Sequence, residues 1–275
     1  MEMTITEMTN KRGNKRGQAT VFIIFGIAIV IGIILMFYLR SSFIDETTGG
    51  KIFFLDDAGK IGAPVENYVQ SCLEKTSENA LIFIGKHGGY YNLPQATDTL
   101  FSLPYYLYAG ESKIPSKEEV ERQLSLYVNN ELFFCLRGFY EFYNQGIQVK
   151  TGEANTTAKI NENNVFFDVN LPIYIKKGDV SKNLEKFSAS VPSRLNTIFN
   201  VADSFIREQE RTPYSVCLSC LINLGGENDL RIEVSFVREG EMLFKIVDER
   251  VSVKEMPYEF SFMNKYDFKE EGRKE

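Results

Sequence analysis

Apolar positions recur along this chain with two different periods, and one stretch has no period at all. From Ala19 to Leu39 the residues ATVFIIFGIAIVIGIILMFYL carry no charge and no proline. At about 1.5 Å per helical residue the block is roughly 30 Å long, the thickness of a bilayer's hydrocarbon core. It predicts a transmembrane helix over 18–40, too long for the apolar core of a cleavable secretory signal. A linker over 41–58 follows, with Thr47, Thr48, Gly49 and Gly50. Beyond it Ile61, Val65, Tyr68, Val69, Cys72, Leu73, Ala80, Leu81 and Ile84 recur at steps of three and four. That spacing predicts an amphipathic helix with one buried face, with Pro64 near its start and Gly88 and Gly89 at its end.

The next segment, 88–115, is rich in tyrosine and broken by Pro94, Pro104 and Gly110, and reads as an aromatic loop. Ser116 with Glu119 is a capping-box pattern, where a serine oxygen accepts a backbone N–H and the glutamate answers it. It opens a second helix, running to about Tyr143, whose face carries Val120, Leu124, Tyr127, Val128, Phe134, Cys135, Phe139 and Phe142. Alternating, β-branched residues over 148–160 and 164–176 predict a hairpin about the Asn161 to Asn164 turn, with Pro172 marking an edge or a bulge. A third helix is expected from about Pro192, using Leu195, Ile198, Phe199, Ala202 and Ile206 with Phe205 at its margin. The runs SVCLSCLINL, DLRIEVSFV, MLFKIVDERV and YEFSFM then read as an antiparallel meander. The expected fold class is therefore α+β: a transmembrane helix, then an exported domain over 59–264 of about three amphipathic helices, a β-hairpin and a C-terminal meander, closed by a charged tail over 265–275.

Charge orients this plan. The chain has 31 Lys plus Arg against 37 Asp plus Glu, a net charge of −6. Residues 1–17 nevertheless hold Lys11, Arg12, Lys15 and Arg16 against only Glu2 and Glu7, so they form a basic leader. The positive-inside rule places the amino terminus in the cytoplasm and the domain from Ser41 onward outside. An acidic exported domain without a basic aromatic stripe excludes nucleic acid as a partner. The lipid bilayer, met by residues 19–39, is the expected first partner.

The junction Lys15-Arg16-Gly17-Gln18-Ala19-Thr20-Val21-Phe22 resembles the class III signal peptide of archaeal type IV pilin-like proteins. The resemblance implies cleavage by a prepilin peptidase between Gly17 and Gln18, and pilus-like or other envelope proteins as partners. It covers about 25 residues, and Phe22 stands where many members of that family carry a glutamate. The remainder is similar to uncharacterised archaeal envelope proteins with a single membrane pass.

Four cysteines on the exported side permit three complete pairings. Cys72 and Cys135 lie on the expected buried faces of two helices, where they serve either as a disulfide between helices or as two buried thiols. Cys217 and Cys220 form a C-x-x-C, but side chains three apart on a strand point to opposite faces, which argues against a redox or zinc site. His87, the one histidine, sits at an expected helix end, and no metal ligand set, cofactor motif or catalytic constellation is apparent. Asn155-Thr156-Thr157 is a candidate glycosylation sequon. Tyr90, Tyr91, Tyr105 and Tyr106 are candidate interaction aromatics, able to stack on sugars or anchor a protein. The function expected is a membrane-anchored surface protein, a pilin-like, interaction or structural component of the envelope and not an enzyme. The alternatives are a tethered hydrolase or redox enzyme acting outside the cytoplasm, or a sugar-binding module.

Overall fold

The computed structural model describes residues 29–31, 57–212 and 214–266. The chain divides into two units, 1–54 and 55–275. In the first, Ile29, Val30 and Ile31 are helical and exposed. The expected leader, most of the span, the linker as far as residue 56, and Gly17 and Gln18 lie outside the described residues. Among the described residues no helix is long and apolar enough to cross a membrane.

The second unit is a mixed α+β domain with two sheets. Helix α1 runs Asp57–Lys86, so it starts before the expected boundary and takes Pro64 into its interior. Ile61, Val65, Val69, Cys72, Leu73, Ala80, Leu81 and Ile84 are all buried on one face. Past Lys86 the backbone turns left-handed at Gly88 and Gly89, with φ of +56° and +86°, and Gly89 N–H returns to Ile84 O at 2.8 Å. This is the glycine termination that a residue with a Cβ resists.

The segment expected to be an aromatic loop instead contains strands β1 (Tyr105–Tyr108) and β2 (Glu111–Ser112). Helix α2 (Lys117–Leu136) begins at the Ser116 cap, whose oxygen accepts Glu119 N–H at 3.1 Å. It passes through a 3₁₀ turn (Arg137–Phe139) into the short α3 (Tyr140–Tyr143). Its buried stripe is Val120, Leu124, Val128, Leu132 and Leu136, a strict four-residue step that leaves Phe134 outside, contrary to expectation.

The first sheet holds β3 (Gln148–Thr151), β4 (Asn155–Ile160), β5 (Asn164–Lys177) and β6 (Val180–Pro192). Strand β5 is central, with β3 and β4 along one side and β6 along the other, all antiparallel. Register shifts between Asn170 and Ile173, where Pro172 has no N–H to give the ladder. Val165, Phe167, Val169, Leu171, Ile173 and Ile175 face the helices, and the alternate residues face outward.

Helix α2 also closes the free side of β4. Glu121, Ser125 and Asn129, spaced by four, accept the N–H groups of Ile160, Ala158 and Thr156, each at 2.9 Å. An edge that would otherwise offer three open donors is thereby occupied. Glu121→Ala orphans the buried Ile160 N–H and is expected to cost about 1–3 kcal/mol, read as a lowered urea midpoint, while the exposed Glu118→Ala shifts it little.

Helix α4 (Leu195–Arg211) buries Leu195, Ile198, Phe199, Ala202 and Ile206, and Phe205 as well, which lies at 1% exposure and not at a margin. Helix α5 (Leu218–Asn228) occupies the run expected to be the first strand of the meander. Three strands remain, β7 (Arg231–Arg238), β8 (Glu241–Val253) and β9 (Met256–Lys265). They join β1 and β2 in a second sheet of order β2-β1-β9-β8-β7. The β1·β9 contact is parallel and the others are antiparallel. Lys265 ends β9 and Tyr266 is buried, so the domain extends past the expected tail boundary. Helix α1 packs on both sheets, and one continuous apolar core joins them.

Candidate functional site

The four candidate interaction tyrosines do not make an exposed platform. Tyr90, Tyr105 and Tyr106 are buried, and Tyr91 is half-buried. Tyr106 stacks on Phe262 with ring centroids 4.4 Å apart and donates its hydroxyl to Gly88 O at 3.1 Å. It is core because β1 is an inner strand of the second sheet. Tyr91 donates to Glu131 at 3.1 Å, while its backbone N–H and that of Asn92 share Gln123 Oε1. These residues tie the post-helical segment to α2.

Tyr105 adjoins a cluster of charges. Asp98 Oδ2 takes the N–H groups of Leu100 and Phe101, and Oδ1 accepts from Arg238 Nη2 at 2.6 Å. Arg238 also pairs with Glu241, which Lys265 reaches at 3.2 Å. Burial foremost, aided by the Glu241 and Asp98 carboxylates, pushes the Tyr105 hydroxyl up to about 12 despite Arg238. Burial disfavours the Glu241 charge too, but hydrogen bonds from Arg238, Tyr105 and Lys265 together hold its carboxyl below the usual range. The stability that Glu241 adds is present above its unfolded pKa and fades as pH falls through the lower folded one. Two buried carboxylates matched by two cations form a latch between the loop and the sheet.

His87 is likewise occupied. Its Nδ1 lies 2.8 Å from Phe83 O, and its ring stacks on Phe83 at 4.0 Å. Among the described residues no group of three His, Cys, Asp or Glu is placed to hold a metal ion. Asn155 opens β4 with its side chain on the solvent face, as does Thr157 two residues on.

All four cysteines are paired. Cys72 of α1 and Cys135 of α2 are joined, with Cα atoms 5.7 Å apart. Tyr68 reinforces that junction by donating to Cys135 O at 2.6 Å. Cys217 and Cys220 form the second disulfide, Cα atoms 5.3 Å apart. Their side chains converge, against expectation, because the segment is helical and not a strand. Cys217 is the N-cap of α5, and its Sγ accepts Cys220 N–H at 3.3 Å. In a helical first turn, positions N-cap and N3 lie on the same side.

Two exposed apolar surfaces were not foreseen. Phe133, Phe134, Tyr140 and Tyr143, each more than half exposed, surround the end of α2, and the Arg137 guanidinium stands 5.4 and 5.0 Å from the centres of the two phenylalanine rings. The helical period of α2 signals this surface only after its strict four-residue stripe is recognised. The second is a groove of about 260 Å³ between α5 and β7, walled by Leu218, Ile222, Ile232 and Val234. It begins one residue after Cys217. Compared with known protein families, curated proteins and solved structures, the chain matches none.

Proposed function

We propose that the protein is a single-pass, membrane-anchored surface protein with a cytoplasmic amino terminus, whose α+β domain acts outside the cytoplasm as a pilin-like, interaction or structural component of the envelope. The observation that carries this reading is the pairing of every cysteine in the domain, including the Cys72–Cys135 link between separate helices. Structural disulfides persist on the oxidising side of a membrane, which is where the basic leader ahead of the 21-residue apolar block directs this domain. The exposed aromatic surface around Arg137 supports a contact role, since aromatics and arginine anchor protein interfaces.

Intact-mass and terminal-peptide analysis of protein purified from native membranes tests the leader. A mature chain starting at Gln18 is expected, with the domain digested by protease added to whole cells. An intact Met1 or Glu2 start removes the pilin-like part, and protection of the domain in whole cells overturns the topology.

A further inference from the structure

We propose that Cys217–Cys220 is a thiol–disulfide exchange site that oxidises a pair of thiols on an extended, apolar segment of a partner polypeptide. The two disulfides differ in kind. Cys72–Cys135 spans 63 residues between two packed helices, with Cys72 buried, whereas Cys217–Cys220 spans three, ties no distant elements together and sits half-buried in a segment with exposed neighbours. Little of the fold depends on the second bond, and solvent reaches it.

The site also stabilises the species that exchange requires. A thiolate on Cys217 would keep the N–H of Cys220 as donor and stand at the positive end of an 11-residue helix. An apolar wall starts at the next residue, on the adjoining face of α5: Leu218 and Ile222 are 57% and 75% exposed and line the groove with Val234, and Phe236 lies two residues further along the same face of β7. Among the described residues β7 pairs only with β8, so its outer edge is open to an added extended segment. An unpaired edge beside an apolar groove selects an extended polypeptide over a small thiol.

The reaction balances within the pair. A partner thiolate attacks Cys217 Sγ, forming a mixed disulfide and releasing the Cys220 thiolate, which takes up a proton. The partner's second thiolate then attacks its own sulfur in that mixed bond, closes the partner's disulfide and releases Cys217 as the capped thiolate. Two electrons pass from the partner dithiol to Cys217 and Cys220, and of the two protons the partner gives up, one ends on Cys220 and the other goes to solvent while Cys217 stays a thiolate. The inference does not depend on the anchor or on leader cleavage.

The test uses the full chain in detergent, with a synthetic peptide carrying two cysteines flanked by leucine and valine. Peptide oxidation is followed by mass spectrometry, and dithiothreitol serves as a reductant with no need of the groove. Ile222→Glu is expected to slow the peptide reaction at least tenfold more than it slows the dithiothreitol reaction. Cys220→Ser, offered the oxidised peptide, is expected to stop at a mixed disulfide on Cys217. Equal peptide rates for the native chain and Ile222→Glu, or no peptide oxidation while dithiothreitol opens the bond, overturn the proposal. Should Cys220→Ser not fold, the comparison of native chain with Ile222→Glu decides alone.

Discussion

Replacing Cys72 and Cys135 together by alanine is expected to destabilise the domain by about 4 kcal/mol. The bond closes a 63-residue separation, and the chain-entropy relation assigns a loop of that length roughly this much freedom lost from the unfolded ensemble. The effect is read as a lower urea midpoint for the full chain in detergent, with helical circular dichroism unchanged before the transition. The same pair of changes at Cys217 and Cys220, three residues apart, is expected to cost no more than about 2 kcal/mol by the same relation. A loss below about 1 kcal/mol at Cys72 and Cys135 would show that helix packing, and not the crosslink, holds α1 on α2.

The second large effect is expected at Arg194. Its guanidinium enters from the start of α4, pairs with Asp248 Oδ1 at 3.0 Å and donates to Asn228 O at the end of α5. Asp248 is fully buried on β8, and among the described residues its Oδ1 meets, beyond Arg194, only the Arg250 N–H, while Oδ2 has no hydrogen-bond partner. Arg194→Met therefore leaves a buried carboxylate without its counter-charge, a change expected to cost about 3–5 kcal/mol. Asp248→Asn placed on top of it should restore a large part of that loss, because the unpaired charge is then gone. If the double variant is as unstable as the single one, the role of Arg194 is the Asn228 carbonyl and its own packing.

The α+β class was legible because the longest elements carry their own signatures. Eight of the nine positions read on the first helix face are buried, with Tyr68 half-buried, and the Ser116 cap lies where the pattern placed it. Strand β6 was not legible. Its buried positions, Phe187, Ala189 and Val191, follow a stretch of Lys, Asn and Glu that continues the strand only because β5 lies beside it. Helix α5 was misread since a short, largely apolar run such as SVCLSCLINL suits strand and helix alike, and Gly225 and Gly226 looked like a turn. Gly225 is instead the point where the helix meets the next strand, since a Cβ there would lie 2.8 Å from Leu230 O.

The same misreading hid the site. A C-x-x-C on a strand is inert by geometry, and the chemistry changes once the first cysteine caps a helix. The tyrosines failed in the opposite sense, for sequence alone does not say whether an aromatic covers a core or fills one. The pattern reads Phe134 onto the buried face of the second helix and Tyr105 and Tyr106 as interaction aromatics, yet Phe134 is exposed and those two tyrosines are buried.

The parallel pairing of β1 with β9 sets the order of events in folding, and under the proposed topology it does so while the chain crosses a membrane. Leu107 N–H meets Asn264 Oδ1 across 157 residues of sequence, and no shorter hairpin supplies that contact. Until β9 has been delivered, β1 has no inner neighbour and the apolar faces of α1 and α4 stay uncovered on that side. Completion of the second sheet therefore waits on the last strand, and if the domain is exported as proposed, the half-emerged chain is a substrate for any chaperone or protease stationed at the exit.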